Sequence, residues 1–110
     1  ADREARRMTN VVAYTEPQGE PIADLYRQVI EQYGIALEHR KAQRTSPGDD
    51  DGSFVKAGFP AAVLVIGSFP YEDPNYHSPE DVADLVDVEN AALAVQATVA
   101  AIVRLDSDGL

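Results

Sequence analysis

The sequence predicts an α/β fold, a partial three-layer α/β/α sandwich in which helices cover a mostly parallel sheet. Segments with strand character alternate with segments of helical periodicity, in the order β-α-β-α-β-loop-α, and this alternation indicates a parallel sheet. An unbroken apolar run at residues 61–67 is typical of a strand buried on both faces, as parallel strands usually are. The 110 residues suffice for one small domain, and the sequence contains no internal repeat.

The first half of the chain contains a strand, a helix and a second strand. Residues 10–15 are rich in β-branched and aromatic side chains and are predicted to form a strand. Apolar residues recur at helical spacing over residues 22–33, between a Pro21 that suits the first helical position and a Gly34 that suits the end. The charged, weakly alternating residues 35–43 fit an edge strand, whose charges discourage pairing with other chains.

The second half is predicted to contain a short helix, the buried strand and a long helix. The short helix covers residues 52–57 and follows a loop rich in Ser, Pro, Gly and Asp. The run at 61–67 is expected to lie centrally in the sheet. Asp87 is a good N-cap for the last helix, and the buried stripe of that helix is predicted to consist of five apolar residues at helical spacing: Ala92, Val95, Val99, Ile102 and Val103.

Residues 73–81, Asp-Pro-Asn-Tyr-His-Ser-Pro-Glu-Asp, are predicted to form a stiff loop after the buried strand. Pro74 and Pro79 fix φ and remove two backbone donors, so the segment fits neither a helix nor a central strand. Open α/β sheets bind ligands at such loops beyond the carboxyl ends of their strands. His77 is therefore a candidate ligand-binding residue, although a single histidine is more often an ordinary polar loop residue.

Two other groups of residues are less specific. The consecutive Asp49, Asp50 and Asp51 could bind a hard cation, but they lack the ligand spacing of an EF-hand loop. They suit a helix N-terminus equally well, where acids oppose the dipole and cap free N–H groups. His39 has no flanking acid and no proline-fixed loop, so no ligand role is expected for it.

Two blocks of the sequence carry a resemblance to a known family. Residues 75–81, followed by Leu-Val-Asp at 85–87 and a helix, resemble the last metal-ligand loop of the co-catalytic zinc exopeptidases. Residues 47–62 resemble the acidic loop, short helix, Gly-x-Pro-Ala motif and strand of the same family. The family includes bacterial leucyl-type aminopeptidases, glutamate carboxypeptidase II, glutaminyl cyclases and the transferrin receptor. The resemblance covers roughly residues 10–105.

The resemblance implies roles for three residues. His77 stands at the last ligand position for one of two zinc ions, which activate a water molecule and polarise the scissile carbonyl. Tyr76 matches a tyrosine that in some members holds the substrate or the developing oxyanion. Asp50 matches an aspartate of the loop that lines the substrate pocket, whereas Asp51 replaces the histidine of the family's usual Ser-Asp-His. A zinc aminopeptidase acting on peptides is therefore the expected function.

The other ligands and the general-base glutamate of the family belong to earlier strands and loops, and nothing before Asn10 matches them. We therefore expect residues 1–110 to be a single partial domain, the C-terminal part of an exopeptidase domain, inactive alone and without tightly bound zinc. A non-catalytic module that binds another protein, as in the transferrin receptor branch, is the alternative. A glutaminyl cyclase is a weaker one, because its loop usually carries Trp before the histidine.

Composition restricts the partners. A net charge of −10, from nineteen acidic and nine basic residues, opposes binding to nucleic acid and to anionic membranes. The chain has no cysteine, and no stretch is expected to approach the ~18 apolar residues of a membrane span. Because the strand beside 61–67 would be partly missing, an unpaired edge would remain, and we expect a homo-dimer or association with the rest of the domain.

Overall fold

The computed structural model describes residues 8–46, 48–67, 69 and 75–110, so Asp73 and Pro74 of the predicted loop lie outside the described residues. The predicted α/β class is confirmed, and the elements follow the predicted order. The strands are β1 (Thr9–Tyr14), β2 (Glu38–Gln43) and β3 (Val63–Ile66), and the α-helices are α1 (Glu20–Gln32), α2 (Asp50–Lys56) and α3 (Val88–Asp108).

The described sheet is mixed, with the strand order β2-β1-β3. Strand β1 pairs in parallel with β2 and antiparallel with β3. The central strand is β1, which is almost completely buried, whereas β3 lies at an edge and is only partly buried. The prediction of a fully buried, parallel strand at 61–67 was therefore wrong. An apolar run indicates that a segment tends to be buried, but it determines neither the direction of the strand nor which strands pair with it.

Helix α1 packs on the face of β1 that carries Val12 and Tyr14. Its buried residues recur at the helical spacing that the sequence predicted: Ala23, Leu25, Tyr26, Val29 and Ile30. Burial of one of the larger aliphatic side chains among them contributes about 1.5–3 kcal/mol. Gly34 follows the helix with a φ of 60°, a left-handed conformation that glycine adopts without steric cost. The predicted helix and its end are confirmed.

Hydrogen bonds connect the start of helix α3 to the start of β1. The Asp87 carboxylate accepts a hydrogen bond from the Asn90 backbone N–H at 3.1 Å, which confirms Asp87 as the N-cap. The Asn90 side chain then bonds to both backbone groups of Thr9, as its Oδ1 accepts from the Thr9 N–H at 2.6 Å and its Nδ2 donates to the Thr9 carbonyl at 2.9 Å.

The buried face of α3 differs from the predicted one. Its buried residues are Ala97 and Ala101, which belong to the same core cluster as the apolar side chains of α1. Near them the Tyr26 hydroxyl of α1 donates to the Thr98 hydroxyl at 3.0 Å. All five residues of the predicted buried stripe are exposed. The prediction was wrong because alanine and valine alternate around the whole helix, and a close approach to α1 selects the smaller side chains.

By length and composition α3 could also cross a membrane, contrary to the expectation that no stretch approaches this limit. Only 11% of the qualifying window is buried inside the protein. The same even spread of Ala and Val around the helix explains both findings.

Candidate functional site

Residues 75–81, which lie between β3 and α3, form two successive turns. The Asn75 carbonyl accepts hydrogen bonds from the Ser78 backbone N–H at 3.0 Å and from the Ser78 hydroxyl at 2.6 Å. The Ser78 carbonyl in turn accepts from the Asp81 N–H at 3.1 Å. These residues are neither helix nor strand, as the sequence predicted. Pro79 adds stiffness inside the second turn.

His77 lies in the first of these turns and has an unusual backbone conformation. Its φ is 58°, in the left-handed region that residues other than glycine rarely adopt. Such a conformation costs about 1 kcal/mol or more, and it occurs often at functional sites. The ring centroids of His77 and Tyr76 are 3.9 Å apart at an interplanar angle of 30°. Both residues are exposed, so the loop presents an imidazole and a phenol to the surroundings of the protein.

The acidic loop forms a second feature, at the start of α2. Asp49 is the N-cap residue in an extended conformation, and Asp50 is exposed in the first turn. Asp51 has no exposed side-chain area, and its carboxylate lies 3.2 Å from one Arg44 guanidinium nitrogen. A second nitrogen of Arg44 lies 3.4 Å from the Asp49 carboxylate. The arginine therefore joins the end of β2 to the start of α2.

Sequence reasoning missed this buried ion pair. Asp51 stands where the resembled family usually has histidine. Here its side chain is paired with Arg44 inside the protein. A buried carboxylate needs a cationic or hydrogen-bonding partner, so a buried acid in this run implied an arginine or lysine nearby. Arg44, seven residues before Asp51, was the available signal.

His39 lies between the sheet and α1 and takes part in internal contacts. Its Nδ1 is 3.2 Å from the Asn10 Oδ1, and its ring stacks on Tyr26 with centroids 6.4 Å apart. Burial lowers the pKa of His39, and the nearby Arg27 charge acts in the same direction. Hydrogen bonding to the Ala23 backbone opposes this shift. A neutral His39 therefore fits this environment.

Among the described residues, no group of three or more His, Asp, Glu or Cys side chains could hold a metal ion. A zinc site needs three or four protein ligands, so the donors of this part of the chain do not by themselves fit the metal that the resemblance implies. The structure brings Tyr76 and His77 together on one loop and places Asp50 at the start of α2. Their assignments as catalytic, metal-ligating and substrate-binding residues stay predictions.

The fold is of the α/β class, and residues 47–62 and 75–81 resemble loops of the zinc exopeptidases. Residues 3–103 match the model of peptidase family M28. This match spans most of the 110 residues, so the chain belongs to peptidase family M28, and its predicted membership of the zinc exopeptidases is confirmed. No curated protein and no solved structure gives a significant match to the chain.

Proposed function

We propose that this chain is part of the catalytic domain of a zinc-dependent aminopeptidase, which hydrolyses the N-terminal peptide bond of its substrates. The family match over residues 3–103 carries this proposal. The exposed Tyr76–His77 pair supports it, because an imidazole held in a costly backbone conformation on a proline-stiffened loop is suited to an interaction made outside its own loop.

In this proposal the chain supplies only part of a zinc site. The His77 imidazole is one ligand, and the other ligands lie outside the described residues. Tyr76, whose ring lies beside that of His77, would give one hydroxyl hydrogen bond to a bound peptide. Asp50 is exposed at the N-terminus of α2. In this proposal it would form part of the substrate surface.

The test is hydrolysis of aminoacyl chromogenic substrates by a protein that contains this chain together with the complete domain. His77→Ala is expected to lower kcat/KM by several orders of magnitude and to reduce the zinc content. His39→Gln is the matched control, because it removes the other histidine of the chain, and it is expected to retain zinc and activity. Equal activity of the wild type and His77→Ala would contradict the proposal.

A second candidate function is a non-catalytic module that binds another protein. It is favoured by the exposed apolar side chains of α3. The same assay separates the two candidates. A complete domain that is folded, but neither binds zinc nor hydrolyses any aminoacyl substrate, would favour the binding module.

A further inference from the structure

Residues 75–78 form a tight turn whose third residue is His77. The Asn75 carbonyl accepts a hydrogen bond from the Ser78 backbone N–H at 3.0 Å, which closes the turn. Among the described residues His77 is the one non-glycine residue with a positive φ, so Tyr76, the second residue of the turn, does not share this conformation. A positive φ at the third position alone is the pattern of a type II turn, in which that position is usually glycine or asparagine. His77 therefore occupies a position that its side chain disfavours.

The turn also accounts for the contact between the two rings that it carries. Side chains of neighbouring residues point to opposite sides of a strand and lie about 100° apart around a helix. Neither arrangement sets two adjacent rings face to face. In this turn the ring centroids of Tyr76 and His77 lie 3.9 Å apart at an interplanar angle of 30°. The mutual orientation of the imidazole and the phenol therefore depends on the backbone of the turn.

Ser78 adds a second hydrogen bond across the same turn. Its hydroxyl donates to the Asn75 carbonyl at 2.6 Å, so this carbonyl accepts from both the backbone and the side chain of Ser78. The hydroxyl bond is partly buried, where fewer water molecules compete for it. Pro79 follows and disfavours a helical conformation for Ser78. Because the hydroxyl reaches Asn75 only across the closed turn, its bond stabilises the conformation in which φ of His77 is positive.

We propose that Ser78 is a positioning residue, whose hydroxyl holds His77 in its left-handed conformation and so presents the imidazole together with the Tyr76 ring. This inference rests on the proposed function, in which these two rings belong to the active site. One hydrogen bond changes a conformational equilibrium about fivefold. The cost of a left-handed residue is of similar size, so the hydroxyl bond is large enough to offset it.

The first test is nuclear magnetic resonance of the 110-residue chain. A positive φ brings the amide proton and the Hα of the same residue close together, so His77 is expected to give a strong nuclear Overhauser effect between them. In Ser78→Ala the ratio of left-handed to other conformations of His77 should fall about fivefold, and this effect should weaken. The ring protons of Tyr76 should lose part of the chemical-shift change that the stacked imidazole causes.

A matched pair of variants isolates the hydroxyl. Ser78→Thr keeps it, and Ser78→Val has the shape of Ser78→Thr without the hydroxyl. We expect Ser78→Thr to retain the strong effect at His77 and Ser78→Val to weaken it as Ser78→Ala does. Ser107→Ala is the control, because the Ser107 hydroxyl also donates to a backbone carbonyl, that of Val103 at 3.0 Å, but in α3. This variant is expected to leave the signals of the turn unchanged.

The second test is kcat/KM of the complete domain with aminoacyl chromogenic substrates. Ser78→Ala and Ser78→Val are expected to lower it about fivefold, and Ser78→Thr should restore it. The loss is expected to be much smaller than that of His77→Ala, because the imidazole is still present and only its orientation is less well fixed. Ser107→Ala should keep the wild-type value.

Equal Overhauser effects in Ser78→Thr and Ser78→Val would overturn the proposal, because the turn would then hold His77 without the hydroxyl. A wild-type chain that lacks the strong effect would also overturn it, since His77 would not be left-handed in solution. Equal kcat/KM of these two variants, in a complete domain that His77→Ala inactivates, would refute the positioning role alone. A fully active His77→Ala would refute the proposed function instead, and the spectroscopic difference between Ser78→Thr and Ser78→Val would still support the effect of Ser78 on His77.

Discussion

The Asp51 carboxylate is held inside the protein by Arg44, whose side chain is itself only 13% exposed. Neither group is stable in the interior without the other, because an unpaired buried charge loses its hydration without compensation. The pair therefore secures the acidic loop against the end of β2. The resemblance would place a histidine at this position, and here Asp51 instead stabilises the structure of the loop.

Asp51→Ala is expected to lower the free energy of unfolding by about 3 kcal/mol, because Arg44 would keep only the more distant Asp49 as a partner. Asp50→Ala is the control. The adjacent Asp50 is exposed, so its removal should change stability by about 0.5 kcal/mol or less. Urea denaturation of the three proteins measures both effects. Equal losses for the two variants would contradict a special role for Asp51.

The left-handed backbone conformation of His77 costs free energy, and a change of residue can remove this cost. Glycine adopts a φ of 58° without the clash of Cβ, whereas alanine keeps this clash. His77→Gly is therefore expected to be about 1 kcal/mol more stable than His77→Ala, although glycine loses more backbone entropy on folding. Thermal unfolding of the two variants gives this difference. An alanine variant as stable as the glycine variant would show that the turn carries no such cost.

His39 should make stability depend on pH. Burial lowers its pKa in the folded protein, so the unfolded chain binds a proton more readily. Its contribution is complete above the ordinary histidine pKa of 6.5 and is lost as the pH falls from there towards the lower folded value. The Tm of the wild type should therefore fall more between pH 7.5 and pH 5.5 than that of His39→Gln. Parallel falls would contradict this assignment.

At the scale of the elements, one side chain fixes how α3 meets the sheet. Asn90 accepts from and donates to Thr9 with its amide while its own backbone N–H is capped by Asp87. The helix and the central strand therefore begin at the same point. The Asn90–Thr9 hydrogen bonds, together with the Tyr26–Thr98 hydrogen bond further along the helix, determine which face of α3 packs against the core.

Asn90→Ala is expected to cost about 2 kcal/mol, because both backbone groups of Thr9 would lose their partner in a partly buried position. Gln96→Ala on the exposed side of the same helix should cost about 0.5 kcal/mol or less. Urea denaturation gives the two free energies, and hydrogen exchange of the Thr9 amide should be faster in Asn90→Ala. An unchanged exchange rate would show that this bond is not made in solution.

At the scale of the whole molecule, the chain combines a small sheet, a covered face and two features that point outwards. The covered face is formed by α1 and α3 on β1. The exposed features are the Tyr76–His77 loop and apolar side chains of α3. Both fit the proposal that this chain is part of a larger catalytic domain.

Isothermal titration of zinc into the 110-residue chain is expected to show no tight site, because three or four ligands are needed and the described residues offer no such group. His77→Ala should therefore titrate like the wild type. A site in the submicromolar range that His77→Ala abolishes would contradict this expectation, and it would mean that ligands from outside the described residues or from a second copy complete the shell.

Local sequence signals determined much of this protein. The helical spacing of Leu25 and Val29, the stop at Gly34 and the cap at Asp87 are properties of neighbouring residues, and each was found where it was predicted. The proline-bracketed loop likewise predicted an irregular segment carrying His77. The two sequence blocks also predicted the family, because their residues lie close together along the chain.

Tertiary structure decided the remainder, because contacts between distant segments leave little trace in a local pattern. An apolar run was compatible with either direction and either place in the sheet, and pairing with β1 made β3 an antiparallel edge strand. Helix α3 had two apolar faces, and packing against α1 chose the face of Ala97 and Ala101. The partner of Asp51 was decided in the same way, since only the folded chain brings Arg44 to a buried carboxylate.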